Sequence, residues 1–176
     1  MITLRILIFS VFISTISIPA LIAQEAGDPP IRELGIGIRN FSNDFSLIYK
    51  KQKEGDTYIR YEGNLNLIYE QGILVLNLGV QFALEKRKYV GENLKFVRGP
   101  GVGLSVLLSS TEAGINRVTP SFNYQLGFQY DINDNFYVGA STFPTAFLSI
   151  TDAGDSSLGF GINANLSAQV SAVFRF

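Results

Sequence analysis

FGINANLSAQVSAVFRF, residues 160–176, decides the fold. Its even positions are Phe160, Ile162, Ala164, Leu166, Ala168, Val170, Ala172, Phe174 and Phe176, and its odd positions are Gly161, Asn163, Asn165, Ser167, Gln169, Ser171, Val173 and Arg175. A period of two describes a strand with one apolar and one polar face, whereas helical spacing would scatter both sets. Ordinary strands run to about 5 or 6 residues. One that alternates over seventeen residues is therefore already a statement about architecture.

The same pattern recurs upstream. In TYIRYEGNLNLIY, residues 57–69, Ile59, Tyr61, Leu65, Leu67 and Tyr69 oppose Arg60, Glu62, Asn64 and Asn66. In ILVLNLGVQFALE, residues 73–85, Leu74, Leu76, Leu78, Val80, Phe82 and Leu84 oppose Asn77, Gln81 and Glu85. PSFNYQLGFQYD, residues 120–131, sets Phe122, Tyr124, Leu126, Phe128 and Tyr130 against Ser121, Asn123, Gln125, Gln129 and Asp131. With weaker copies the sequence predicts eight strands, at 33–41, 44–52, 57–69, 73–86, 94–109, 118–131, 135–150 and 157–176. The turn signals SND, KEGD, EQG, GEN, TEAGIN, DINDN and DAGDS separate them.

Eight long strands in one small domain close into a barrel, and the composition of each face says which way it points. The polar face is mostly Asn, Ser, Gln, Thr and Gly, which fill a narrow interior well and solubilise an outer surface poorly. The apolar face is dense with Leu, Phe, Val and Tyr, and the strands are long enough to cross a bilayer at a tilt. The expectation is an all-β, eight-stranded, antiparallel up-and-down transmembrane barrel over 33–176. An open edge in lipid would strand backbone groups at several kcal/mol each, so the last strand must pair with the first along its length, up to Phe176.

Composition narrows the chemistry. The 176 residues are 47% hydrophobic and 16% charged with a net charge of −1, which suits one domain and leaves no basic face for nucleic acid. Cysteine and histidine are both absent. That removes disulfides, thiolate metal sites, the Ser-His-Asp and Cys-His arrangements and the usual zinc site. Neither an enzyme nor a cofactor or metal is expected. GPGVGLS, residues 99–105, lacks the Lys-Ser/Thr ending and following helix of a phosphate loop, and its glycines suit a crowded lumen instead.

Residues 1–23 carry Arg5, an apolar run from Ile6 to Ile18, Pro19, and small Ala20 and Ala23, the layout of a cleavable secretory leader. A retained membrane anchor over the same stretch is the rival reading. Residues 24–32 form a short N-terminal segment on the periplasmic side. With an even strand number both termini lie on that side, where Phe96, Tyr130, Phe136, Phe174 and Phe176 gather at strand ends as an aromatic belt. The clusters Lys50, Lys51, Lys53 and Lys86, Arg87, Lys88 fall at the same end and read as solvated turn charges, or as contacts for anionic headgroups or an acidic partner. The inward-facing charges are Arg39, Arg60, Glu62, Glu85, Asp131 and Arg175, and they are expected to form ion pairs, with Arg60 and Glu85 on neighbouring strands.

The leader, the run EKRKYVGENLKFVRGPGVGLS at 85–105, the hairpin YQLGFQYDINDNFYVGAS at 124–141 and the aromatic terminus together resemble the small outer-membrane β-barrel proteins of Gram-negative bacteria. In architecture the chain is similar to the OmpA transmembrane domain and OmpX, and to porin-like barrel domains. The resemblance implies an integral outer-membrane location, contact with outer-membrane lipids, a monomer, and recognition of the Phe174 and Phe176 terminus by the barrel-assembly machinery. The barrel enzymes of that membrane use a catalytic histidine, which this chain lacks. The functional expectation is a non-enzymatic structural or surface-interaction role. A narrow channel for ions or small polar solutes, and a soluble lipocalin-like periplasmic carrier of an apolar ligand, remain as alternatives.

Overall fold

The computed structural model describes residues 31–40, 44–70, 73–110, 116–152, 156–163 and 167–176. The leader 1–23, nearly all of the segment 24–32, and Leu166 lie outside them. The described chain is built of β-segments: β1 (Arg32–Arg39), β2 (Asp44–Glu54), β3 (Thr57–Glu70), β4 (Ile73–Tyr89), β5 (Leu94–Ser109), β6 (Asn116–Asn133), β7 (Phe136–Thr142), β8 (Thr145–Asp152), β9 (Ser156–Asn163) and β10 (Ala168–Arg175). Every pairing is antiparallel, and β10 returns to β1 to close the cylinder. The terminus lies inside the sheet: the Phe176 N–H donates to the Arg32 carbonyl at 2.9 Å, and the Phe176 carbonyl accepts from the Arg32 N–H at 3.1 Å.

Ten segments make eight staves. The run predicted at 135–150 is interrupted at Phe143 and Pro144, because proline has no N–H for the ladder. The Pro144 carbonyl still accepts from Tyr124 N–H at 3.1 Å, so β6 pairs first with β8 and then with β7. The run predicted at 157–176 is divided into β9 and β10. The first strand stops at Arg39 because Asn40 turns to a φ of 51°, a region that Asn tolerates, and its N–H and side-chain oxygen both bond to Ala168.

Sidedness follows the period of two. Along β4 and β5 the exposed positions Phe82, Leu84, Val102 and Leu104 alternate with buried Gln81, Ala83, Glu85, Gly99 and Gly101. Leu126 is 36% exposed while Gln129, on the same strand, is 1% exposed. Leu76 pairs with the outward Leu67. The outer surface is therefore a continuous apolar band, far more than a water-soluble monomer leaves uncovered. The interior is tight: a Cβ at Gly99 would overlap the backbone carbonyl oxygen of Leu84, so only glycine fits there. Pro100 follows it, and the β4–β5 ladder lapses between the pairs Ala83–Gly101 and Lys86–Arg98.

Candidate functional site: the polar lumen

The half of the lumen at the end carrying the termini is filled by one chain of ion pairs. Glu33 of β1 is fully buried and accepts from Arg87 of β4 at 2.6 and 2.7 Å, from the Tyr137 hydroxyl of β7 at 2.6 Å and from Arg175 of β10 at 3.1 Å. Arg87 also donates through Nε to Glu85 at 2.8 Å, and Glu85 accepts from Lys50 of β2 at 2.8 and 3.0 Å. At the other end of the chain Arg175 donates to Asp131 at 2.6 Å, and Lys95 of β5 completes the pairing at 2.9 Å. Four cations and three anions thus meet in the cross-section. The guanidinium of Arg87 lies 3.6 Å from the Tyr58 ring centroid, and Arg175 lies 4.7 Å from that of Tyr137. These ring faces help to hold charge removed from water.

The middle of the barrel is closed by a second cluster. Glu62 accepts from Arg39 at 2.8 Å, Arg60 at 2.5 Å and Gln169 at 2.8 Å. Arg39 also donates to Gln81, and Gln81 donates to Asn123 at 3.0 Å. Phe143, which keeps the inward parity of Tyr137 and Ser141, is 2% exposed, with the guanidinium carbons of Arg39 and Arg60 at 5.0 and 5.2 Å from its ring centroid. Below it a void of about 10 Å³ between Lys50, Arg60, Gln125, Gln129 and Tyr137 has room for a single water. Beyond the cluster, away from the termini, the lumen widens to a polar cavity of about 230 Å³ between Asn64, Asn77, Gly79, Gln81, Gly103, Ser105 and Ser121.

The structure places all six charges expected inside, Arg39, Arg60, Glu62, Glu85, Asp131 and Arg175, in these two clusters. Arg60 and Glu85 do lie on neighbouring strands, but Arg60 pairs with Glu62, and Glu85 pairs with Lys50 and Arg87. The reading of two basic runs as turn charges is corrected at Lys50 and Arg87, which are 5% exposed and point into the lumen. Glu33 and Lys95 join the network unannounced. Parity carries the signal for three of the four. Arg87 stands two residues from inward Glu85, Lys95 shares the parity of Gly99 and Gly101, and Glu33 shares that of Gly35 and Gly37. Phe96, Tyr130, Phe136, Phe174 and Phe176 all lie on the outward face at the terminus end, with Phe96 5.5 Å from Phe128, and Phe136 paired in register with Phe174. Among the described residues no group of acidic side chains is spaced to hold a metal ion.

No family model and no curated protein matches the chain. Solved structures do. The fold is similar to that of a major outer membrane protein from Thermus thermophilus, with a TM-score of 0.52 at 10% identity over 85% of this chain and all of that one. It is similar to Neisserial surface protein A, with a TM-score of 0.51 at 11% identity over 83% of this chain and 92% of that one. Ail, the attachment invasion locus protein of Yersinia pestis, matches at a TM-score of 0.48 and 16% identity over 84% of this chain and 97% of that one. By fold the chain is an eight-stranded barrel of the outer-membrane type.

Proposed function

We propose that the protein is an integral outer-membrane barrel, with its termini on the periplasmic side, that serves a structural or surface-interaction role and does not conduct. Two things support the location: the uncovered apolar band, which suits hydrocarbon, and the fold shared with outer-membrane proteins. The observation that carries the function is the occupied cross-section. Ion pairs, glutamines and Phe143 fill the lumen at the terminus end and the middle, leaving room for about one water. A soluble carrier would need the opposite sidedness, with an apolar interior.

The aromatic residues at the terminus end act in this reading as the interfacial girdle, and Phe174 and Phe176 as the assembly signal. The 230 Å³ cavity favours the channel as the second reading, since it leaves polar space in the lumen beyond the central cluster. Its two clusters hold six cations against four anions, so a conducting lumen would prefer anions. Planar-bilayer recording tests both readings. No steady conductance is expected; a steady conductance of the folded barrel whose size or ion preference changes with charge reversal in Glu62→Lys or Glu85→Lys would establish the channel and refute closure. Release of the protein by carbonate washing without detergent would refute the membrane location itself.

A further inference from the structure

The outward face at the terminus end is divided into two arcs. On β6, β7 and β10 it is apolar and aromatic, with Phe128, Tyr130, Phe136 and Phe174. On β1 to β5 it is mainly cationic, with Phe96 of β5 paired to Lys88 where the two arcs meet. Arg32 stands in register with Lys51, Lys86 with Arg98, and Lys88 one outward position further on. All five point away from the lumen, since their neighbours Glu33, Lys50, Glu85, Arg87 and Val97 are buried inside it. None of the five makes an ion pair among the described residues. Glu54, Asp56 and, in the β4–β5 turn, Glu92 are the exposed acids of this arc; Glu54 stands across Thr57 from Lys86, two strands away, and none of the three forms an ion pair with a cation of the set.

Two residues along each strand, the same outward rows turn apolar. Lys51 is followed by Tyr49 and Leu47, Lys86 by Leu84 and Phe82, and Arg98 by Pro100 and Val102. Cations at one level with an apolar wall beside them fit a molecule that has an anionic head and acyl chains. From the register of these rows, and resting on the membrane reading above, we propose that this arc binds an anionic glycerophospholipid of the periplasmic leaflet. Its phosphate lies between Lys86 and Arg98, with Lys51 and Arg32 flanking. Lys51 pairs with Ile59 and Ile59 with Leu84, so Lys86 stands two strands across and two residues along from Lys51. At about 4.8 Å between strands and roughly 3.4 Å per residue the two are about 12 Å apart, within the reach of their flexible stems around one headgroup.

The test uses the folded barrel in nanodiscs of phosphatidylcholine doped with phosphatidylglycerol, and native mass spectrometry of the lipids it retains on release. Heat-modifiable migration first establishes folding and insertion, so that failure of the membrane reading shows there and failure of lipid selection shows only in the adducts. Phosphatidylglycerol is expected on the order of tenfold above its bulk ratio, with roughly a fivefold loss for each cation removed, in Lys86→Gln and Arg98→Gln. Raising salt from about 0.1 to about 1 M on the unaltered protein, which shortens the screening length from about 10 to about 3 Å, should lower the enrichment without any substitution. Retention at the bulk ratio, or enrichment indifferent to both substitutions and to salt, would overturn the proposal. So would preferential retention of lipid A in discs containing both lipids, since that would assign the arc to the opposite leaflet.

Discussion

Glu85→Gln is the sharpest test of the ion network. The carboxylate is fully buried and accepts from Lys50 at 2.8 Å and from Arg87 at 2.8 Å. At an effective dielectric of about 20, one such contact is worth roughly 6 kcal/mol of gross attraction before desolvation. Most of that is offset by the cost of removing the charges from water. Deleting one partner is different, because Lys50 then has no anion within its hydrogen-bonding reach in the described lumen, and breaking a buried pair costs about 3 to 5 kcal/mol. Arg87 suffers less, since Glu33 still holds it through both terminal nitrogens. The expected loss is therefore near the lower end, about 3 kcal/mol, carried mainly by Lys50. Urea unfolding of the detergent-folded barrel, followed by far-ultraviolet circular dichroism, measures it. The double variant Lys50→Met with Glu85→Gln should recover most of the loss, because the stranded charge is gone. A loss under about 1 kcal/mol in Glu85→Gln would refute the reasoning, as would a double variant no better than the single one.

Two other outcomes follow from the packing. Gly99→Ala should prevent the compact, heat-modifiable form on a denaturing gel, because the added Cβ meets the Leu84 backbone oxygen, which cannot move aside as a side chain would. Phe82→Arg places a charge in the apolar band and should cost about 2 to 4 kcal/mol in unfolding free energy if Phe82 sits near the bilayer midplane; a neutral result would mean that this face is not in lipid.

The architecture was readable because alternation is local: β6 and β10 state their two faces in the order of their residues, and closure then follows from the need to satisfy every backbone group in hydrocarbon. Inward placement was less readable where an apolar residue stands on the polar face. Ile48, 1% exposed, separates Ser46 from Lys50 and masks the parity that puts Lys50 inside. Phe143 misleads by its residue type, as an aromatic in a barrel strand reads as lipid-facing, although it shares the inward parity of Tyr137 and Ser141. Pairing partners were not readable at all. Whether Glu85 meets Arg60 or Lys50 depends on distances across the lumen, between residues 25 and 35 positions apart, and no local period encodes those.

The seam between β1 and β10 is held by seven register pairs, whereas β3 and β4 share fourteen. Glu33 beside that seam is gripped by Arg87 from the far wall and by Arg175 and Tyr137 from the returning strands, contacts that exist only once the tube is whole. In a partly assembled sheet Glu33 lacks Arg87 and Tyr137, and the charges keep their water until closure brings them together. Zipping this short seam is thus coupled to neutralising the interior, which favours an all-or-none closing step and penalises barrels left ajar.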